Sequence, residues 1–189
     1  MGTKPATPGF MFVLTAVFLA ASFHADGQST ESFNSLFVYG HGYAFQVREP
    51  EGWRGDIKRI AAQHAVDAIF LPFSGIHSGD VSIRVKVTRK IDDNTIEDMN
   101  HDLQFYASHY PGAPVKNLAL SHAEYKTFAS SISVPRRLYA YDAFVNPGHG
   151  IHFIFFVTMT KKSEPLTDDE IRAFGDVVTS LQWLYTPKK

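Results

Sequence analysis

The run Leu138-Tyr-Ala-Tyr-Asp-Ala-Phe-Val145, the turn sequence Asn146-Pro-Gly-His-Gly150 and the run Ile151-His-Phe-Ile-Phe-Phe-Val-Thr-Met159 decide the fold. Two apolar segments flanking a short Pro/Gly turn predict an antiparallel hairpin. In the second segment Ile151, Phe153, Phe155 and Val157 share one face, while Ile154 and Phe156 occupy the other. A strand that is apolar on both faces belongs in the middle of a sheet covered on both sides.

The flanking sequence supplies more strands of the same kind. In Val81-Ser-Ile-Arg-Val-Lys-Val-Thr88 the valines and Ile83 alternate with polar residues, the period-two pattern of a half-wet strand. Tyr43, Phe45 and Val47 alternate in the same way before Pro50-Glu51-Gly52 turns the chain and delivers Trp53. Residues 61–68 predict a helical turn, and Ala68-Ile-Phe-Leu71 a short strand ending at Pro72. Val115–Leu120 and Tyr125–Val134 predict two further strands.

Two helices complete the pattern. After Asp92-Asp93-Asn94, a helix capped by Asn94 or Thr95 carries Glu97 and Asp98 in its first turn, where the helix dipole favours acids. Ile96, Met99, Leu103, Tyr106 and Tyr110 are its expected buried stripe, and Pro111-Gly112 its end. Near the C-terminus Thr167-Asp-Asp-Glu170 reads as a capping box. Ile171, Phe174, Val177, Val178 and Leu181 then fall on one helical face, and the helix is expected to exit through Ser180-Leu-Gln-Trp183. The order predicts an α+β fold: an α/β/α sandwich whose central twisted antiparallel sheet is covered by helices.

The chain opens with an export signal. Lys4 precedes the uncharged run Phe10-Met-Phe-Val-Leu-Thr-Ala-Val-Phe-Leu-Ala-Ala21, and small residues follow at Ala20-Ala21-Ser22 and Ala25-Asp26-Gly27. The run is broken by Ser22, His24 and Asp26 before the roughly 20 apolar residues of a spanning helix are reached. Cleavage is therefore expected, leaving a mature N-terminus between Phe23 and Ser29 and no stable membrane span. The expected organisation is a signal peptide at 1–27, a flexible leader at 28–36, one domain at 37–186 and a tail at 187–189. There is no cysteine, so neither a disulfide nor a lipid-modified N-terminal cysteine is available to the exported protein. With 18 Lys+Arg against 19 Asp+Glu the chain lacks the basic excess of a nucleic-acid binder.

The aromatic strand Tyr43-Ala-Phe45 running into Pro50-Glu51-Gly52-Trp53, together with a closing helix that ends Phe174…Ser180-Leu181-Gln182-Trp183, resembles the superfamily of PsbP, Mog and DcrB. The resemblance covers residues 37–186. It implies the α/β/α sandwich, an exported bacterial member, and action by binding other proteins; it carries over no catalytic motif.

Nine histidines make metal binding the sharpest alternative chemistry. Asp98, His101 and Asp102 lie at i, i+3 and i+4 on the middle helix, a spacing at which they can grip a divalent ion; a solvated helix face is the favoured reading. His149 and His152 in the hairpin turn sit an odd number of residues apart, which sends their rings to opposite faces. His109 and His122 can join a site only through tertiary contacts. The loop Phe73-Ser-Gly-Ile-His-Ser-Gly-Asp80 holds Ser74, His77, Ser78 and Asp80 as sequence neighbours, whereas a hydrolytic triad converges from separate elements, and no Gly-x-Ser-x-Gly elbow is present. Tyr139, Tyr141, Phe153, Phe155 and Phe156 read as core rather than as a ligand pocket. The sequence thus points to an exported, periplasmic or secreted, non-catalytic domain that binds an unidentified protein partner and needs no cofactor. The alternative is a metal-dependent or serine-type hydrolase built on the histidines or the 73–80 loop.

Overall fold

Alternating apolar residues build ten strands around three helices among the described residues, which are 34–73, 81–93 and 95–184 in this computed structural model. In chain order they are β1 (Ser35–Gly40), β2 (Tyr43–Arg48), β3 (Trp53–Asp56), α1 (Arg59–Gln63), β4 (Ala68–Pro72), β5 (Val81–Arg89), α2 (Ile96–His109), β6 (Val115–Asn117), β7 (Lys126–Val134), β8 (Leu138–Asn146), β9 (Phe153–Lys161), α3 (Asp168–Ser180) and β10 (Gln182–Trp183). A seven-stranded antiparallel sheet runs β3-β4-β5-β9-β8-β7-β6, and a separate three-stranded sheet runs β1-β2-β10. The β8–β9 hairpin lies in the middle of the large sheet, with β9 paired to β5 on its other side.

One face of the large sheet carries Val81, Ile83, Val85 and Val87 of β5, Phe155, Val157 and Met159 of β9, and Ala143 and Val145 of β8. Two things cover it. The small sheet contributes Val38, Phe45 and Val47, with the Phe45 ring edge-on to Phe155 at 5.2 Å. Alongside it, α3 contributes Ala173, Phe174, Val177 and Val178, with Phe174 edge-on to Tyr141 at 5.9 Å. The opposite face meets α2 through a smaller cluster of Tyr106, Ile132 and Ala140.

The α+β class follows from these elements, but a single sheet covered only by helices does not. The chain makes two sheets, and the smaller takes a place expected for a helix. The chain after Ser180 stops being helical because Leu181 turns extended at ψ 130°, and Gln182–Trp183 pairs with β2 as β10. β1 begins at Ser35, inside the stretch 28–36 expected to be a loose leader, because Leu36 and Val38 alternate inward against β2.

The capping box at the start of α3 forms as expected. Thr167 Oγ1 accepts from the Glu170 amide at 3.3 Å, and a Glu170 carboxylate oxygen accepts from the Thr167 amide at 2.7 Å. The same carboxylate receives the buried Lys161 ammonium at 3.0 Å, tying the cap to the end of β9. Thr167→Ala is expected to lower stability by about 0.5–2 kcal/mol, seen as an earlier denaturation midpoint. An unchanged midpoint would show that the cap contributes nothing.

Candidate functional site

The helix α2 is the element whose placement departs most from the sequence pattern. Its N-cap Thr95 adopts the left-handed conformation at φ 66°, and the Thr95 side chain does not cap the helix. Instead its Oγ1 accepts from Asn146 Nδ2 at 2.8 Å, while the same nitrogen donates to the Asp93 carbonyl at 3.0 Å. That clasp fixes the start of α2 at the end of β8. It buries Asp98 and Tyr106; Met99, Asp102, Leu103 and Tyr110 are half-buried, and Ile96 and Phe105 are left exposed.

Two carboxyls of the expected metal group, Asp98 and Asp102, thus face inward, while His101 is exposed. The Asp98 Oδ1 accepts from the Ile91 amide at 3.1 Å; its Oδ2 is buried without a partner. Among the described residues no three His, Cys, Asp or Glu side chains are grouped so as to hold a metal ion.

Beneath α2 the sheet presents a polar row in register across four strands: Ser130 of β7, Asp142 of β8, Thr158 of β9 and Arg84 of β5. Asp142 is fully buried, and neither of its oxygens has a hydrogen-bond partner of good geometry. The Asp102 Oδ2 above it is also buried and unpartnered. Burial, and then the neighbouring Asp102 charge, push the Asp142 carboxyl up to about 7, although the Thr158 and Tyr106 hydroxyls hold it back in part. Burial likewise raises Asp102 to about 6, against a small opposing pull from His101. Tyr106, in turn, is held protonated by burial and by both carboxyls. This cluster of two acids and a phenol is the chief chemical anomaly of the fold. Sequence reasoning passed over Asp142, although a lone carboxyl inside a strand apolar on both faces was a readable signal.

Among the described residues, the two clefts of greatest volume lie away from this cluster. A cleft of about 600 Å³ beside the start of α3 is lined by Trp53, Pro72, Lys161, Glu170, Arg172 and Asp176. A second, of about 610 Å³, is lined by Arg89, Lys90, Ile91, Asp92, His152 and Phe153. Neither includes Asp102 or Asp142.

The described histidines are dispersed. His109 is exposed and lies on the Phe105 ring at 4.1 Å. His149 and His152 are exposed. His122 is committed to structure: its Nδ1 accepts from the Glu124 and Tyr125 amides at 3.0 and 3.2 Å, so Nε2 carries the proton and donates to the Leu181 carbonyl at 2.9 Å. Ser74, His77, Ser78 and Asp80 lie outside the described residues, as does the 1–27 segment. The expected aromatic core is partly as read. Phe155 is fully buried, and Phe153 packs between Tyr43 and Trp183 with ring centroids at 5.5 and 6.1 Å.

No protein-family model matches this sequence, and no curated protein matches it. Among solved structures, LpqN of Mycobacterium tuberculosis, described as involved in cell envelope biogenesis, superposes with a TM-score of 0.53 at 15% sequence identity. The match covers 82% of this chain and 92% of LpqN. At that identity the likeness is one of fold. No helix among the described residues is long and apolar enough to cross a membrane.

Proposed function

We propose that this chain is an exported domain of the PsbP/Mog/DcrB-like type that works in the cell envelope or outside it by binding another protein, without chemistry of its own. The observation that carries the reading is the outer face of the three-stranded sheet. There Phe37 and Tyr39 of β1 stand 47% and 77% exposed on a strand whose other face is core, and Leu184, just after β10, stands 47% exposed. Large aromatic side chains are costly to leave in water and are enriched in protein contact surfaces. The shared fold with an envelope-biogenesis protein supports the compartment, and the export signal supports it independently.

Photo-crosslinking in the native envelope tests the surface. A crosslinker at position 39 is expected to give a discrete protein adduct that disappears when Phe37→Ser is added. A crosslinker at the exposed Lys162, just past the end of β9, is expected to give none. Equal labelling from both positions, or an adduct indifferent to Phe37→Ser, would sink the assignment of this face.

A further inference from the structure

We propose that α2 is a proton-operated latch: it stays docked on the large sheet while Asp102 and Asp142 share a proton, and it loosens when both are ionised. Three observations carry this. The first is the pair itself. Asp142 is fully buried, neither of its oxygens has a hydrogen-bond partner of good geometry, and the charge of Asp102, whose Oδ2 is also buried and unpartnered, bears on it. Two such groups in an apolar interior cannot both hold a charge cheaply, so the docked state keeps a proton.

The second is the lack of a compensating cation. Facing the pair are Ser130 from β7, Thr158 from β9, and Tyr106, Tyr110 and His101 from α2. Arg84 is next in the row beyond Thr158, but its Nε donates to Ser82 Oγ at 3.1 Å. Of these groups only the exposed His101 brings a positive charge to bear, and it acts on Asp102. Lys90, Asp92, Asp93 and Asp98 cluster at the other end of the helix, with Lys90 Nζ donating to the Gly148 carbonyl at 2.8 Å.

The third is the thin apolar hold on α2. The helix buries only Asp98 and Tyr106 fully, whereas α3 buries Ala173, Phe174, Val177 and Val178. It is also bounded by two turns, Thr95 at φ 66° and Gly112 at φ 78°. An element with few buried apolar contacts opens at a fraction of the global unfolding cost. Opening would give water to both carboxyls and uncover Ile132 and Ala140 on the sheet. Acid therefore closes the latch and alkali releases it. This inference goes beyond the protein-binding reading and does not depend on it.

Amide hydrogen exchange on the intact mature protein tests the latch, with rates corrected for the intrinsic pH dependence of exchange. Between about pH 5.5 and pH 8.5, the protection of α2 amides is expected to fall about tenfold or more while that of α3 stays level. In Asp142→Asn the fall in α2 protection is expected to be clearly smaller than in the wild type, because only one of the two buried carboxyls is left to ionise. Asp102→Asn carries the same expectation and serves if the first variant folds poorly. Level α2 protection in the wild type, or an equal fall in the asparagine variants, would overturn the latch.

Discussion

Phe155→Ala is expected to lower stability by about 3–5 kcal/mol, the largest loss from any single side chain in this fold. Phe155 sits near the start of β9, fully buried, and its ring meets Phe45 of β2 edge-on at 5.2 Å and Trp183 of β10 edge-on at 5.5 Å. One side chain thus joins the large sheet to the central strand and one edge strand of the small one. Truncation removes its transfer free energy and leaves a cavity between two sheets that cannot both collapse into it. A denaturant midpoint equal to that of the wild type would mean that the two sheets do not pack as described.

The second large effect has the opposite sign and depends on pH. An acid whose folded value is raised binds more protons when folded, so stability is greatest below its unfolded value and falls as pH climbs toward the folded value. For Asp142 that window runs from the ordinary 3.8 to about 7. Over it, a single fully buried carboxyl forfeits up to about 4 kcal/mol. Asp142→Asn keeps the shape without the charge. It is expected to be more stable than the wild type at about pH 8 by up to that amount, and nearly equal to it at about pH 4. Thermal melts across the range decide the matter. Parallel pH profiles for the two proteins would show that Asp142 does not titrate within the folded state's stability range.

The elements that local sequence specifies strongly are the ones that were legible. β5 has strict alternation, α3 has a reciprocal cap and a clean stripe, and the β8–β9 hairpin has apolar strands around a Pro/Gly turn. β1 was missed because its outward residues, Phe37 and Tyr39, are as apolar as its inward ones, which erases the alternation. β10 was missed because two residues have no period at all; only pairing with β2, far away in the chain, makes them a strand. The face of α2 was read in part: Met99, Leu103, Tyr106 and Tyr110 turn toward the sheet as expected, but Ile96 does not and Asp98 does. Ile96, Met99, Leu103, Phe105 and Tyr106 spread apolar side chains around the helix, so the stripe alone does not choose a side. The choice is made by tertiary contacts, the Asn146 clasp on Thr95 and the meeting of Tyr106 with Ile132 and Ala140. The same contacts turn Asp98 and Asp102 from the expected solvated face into the interior, away from His101.

The three-stranded sheet is closed by the two ends of the domain: β2 lies between β1, its neighbour in the chain, and β10, formed from Gln182 and Trp183. A chain emerging N-terminus first makes β1 and β2 early, but their inner face waits for almost the whole sequence before Trp183 arrives to stack near Tyr43 and Phe153. Such long-range pairing folds slowly, because loop closure comes before the contacts that reward it. On the export route proposed above, this order of events would keep the chain open during passage. The domain cannot lock before its last strand is made, and losing Gln182 and Trp183 would leave β2 with an open edge and an unfilled aromatic seat.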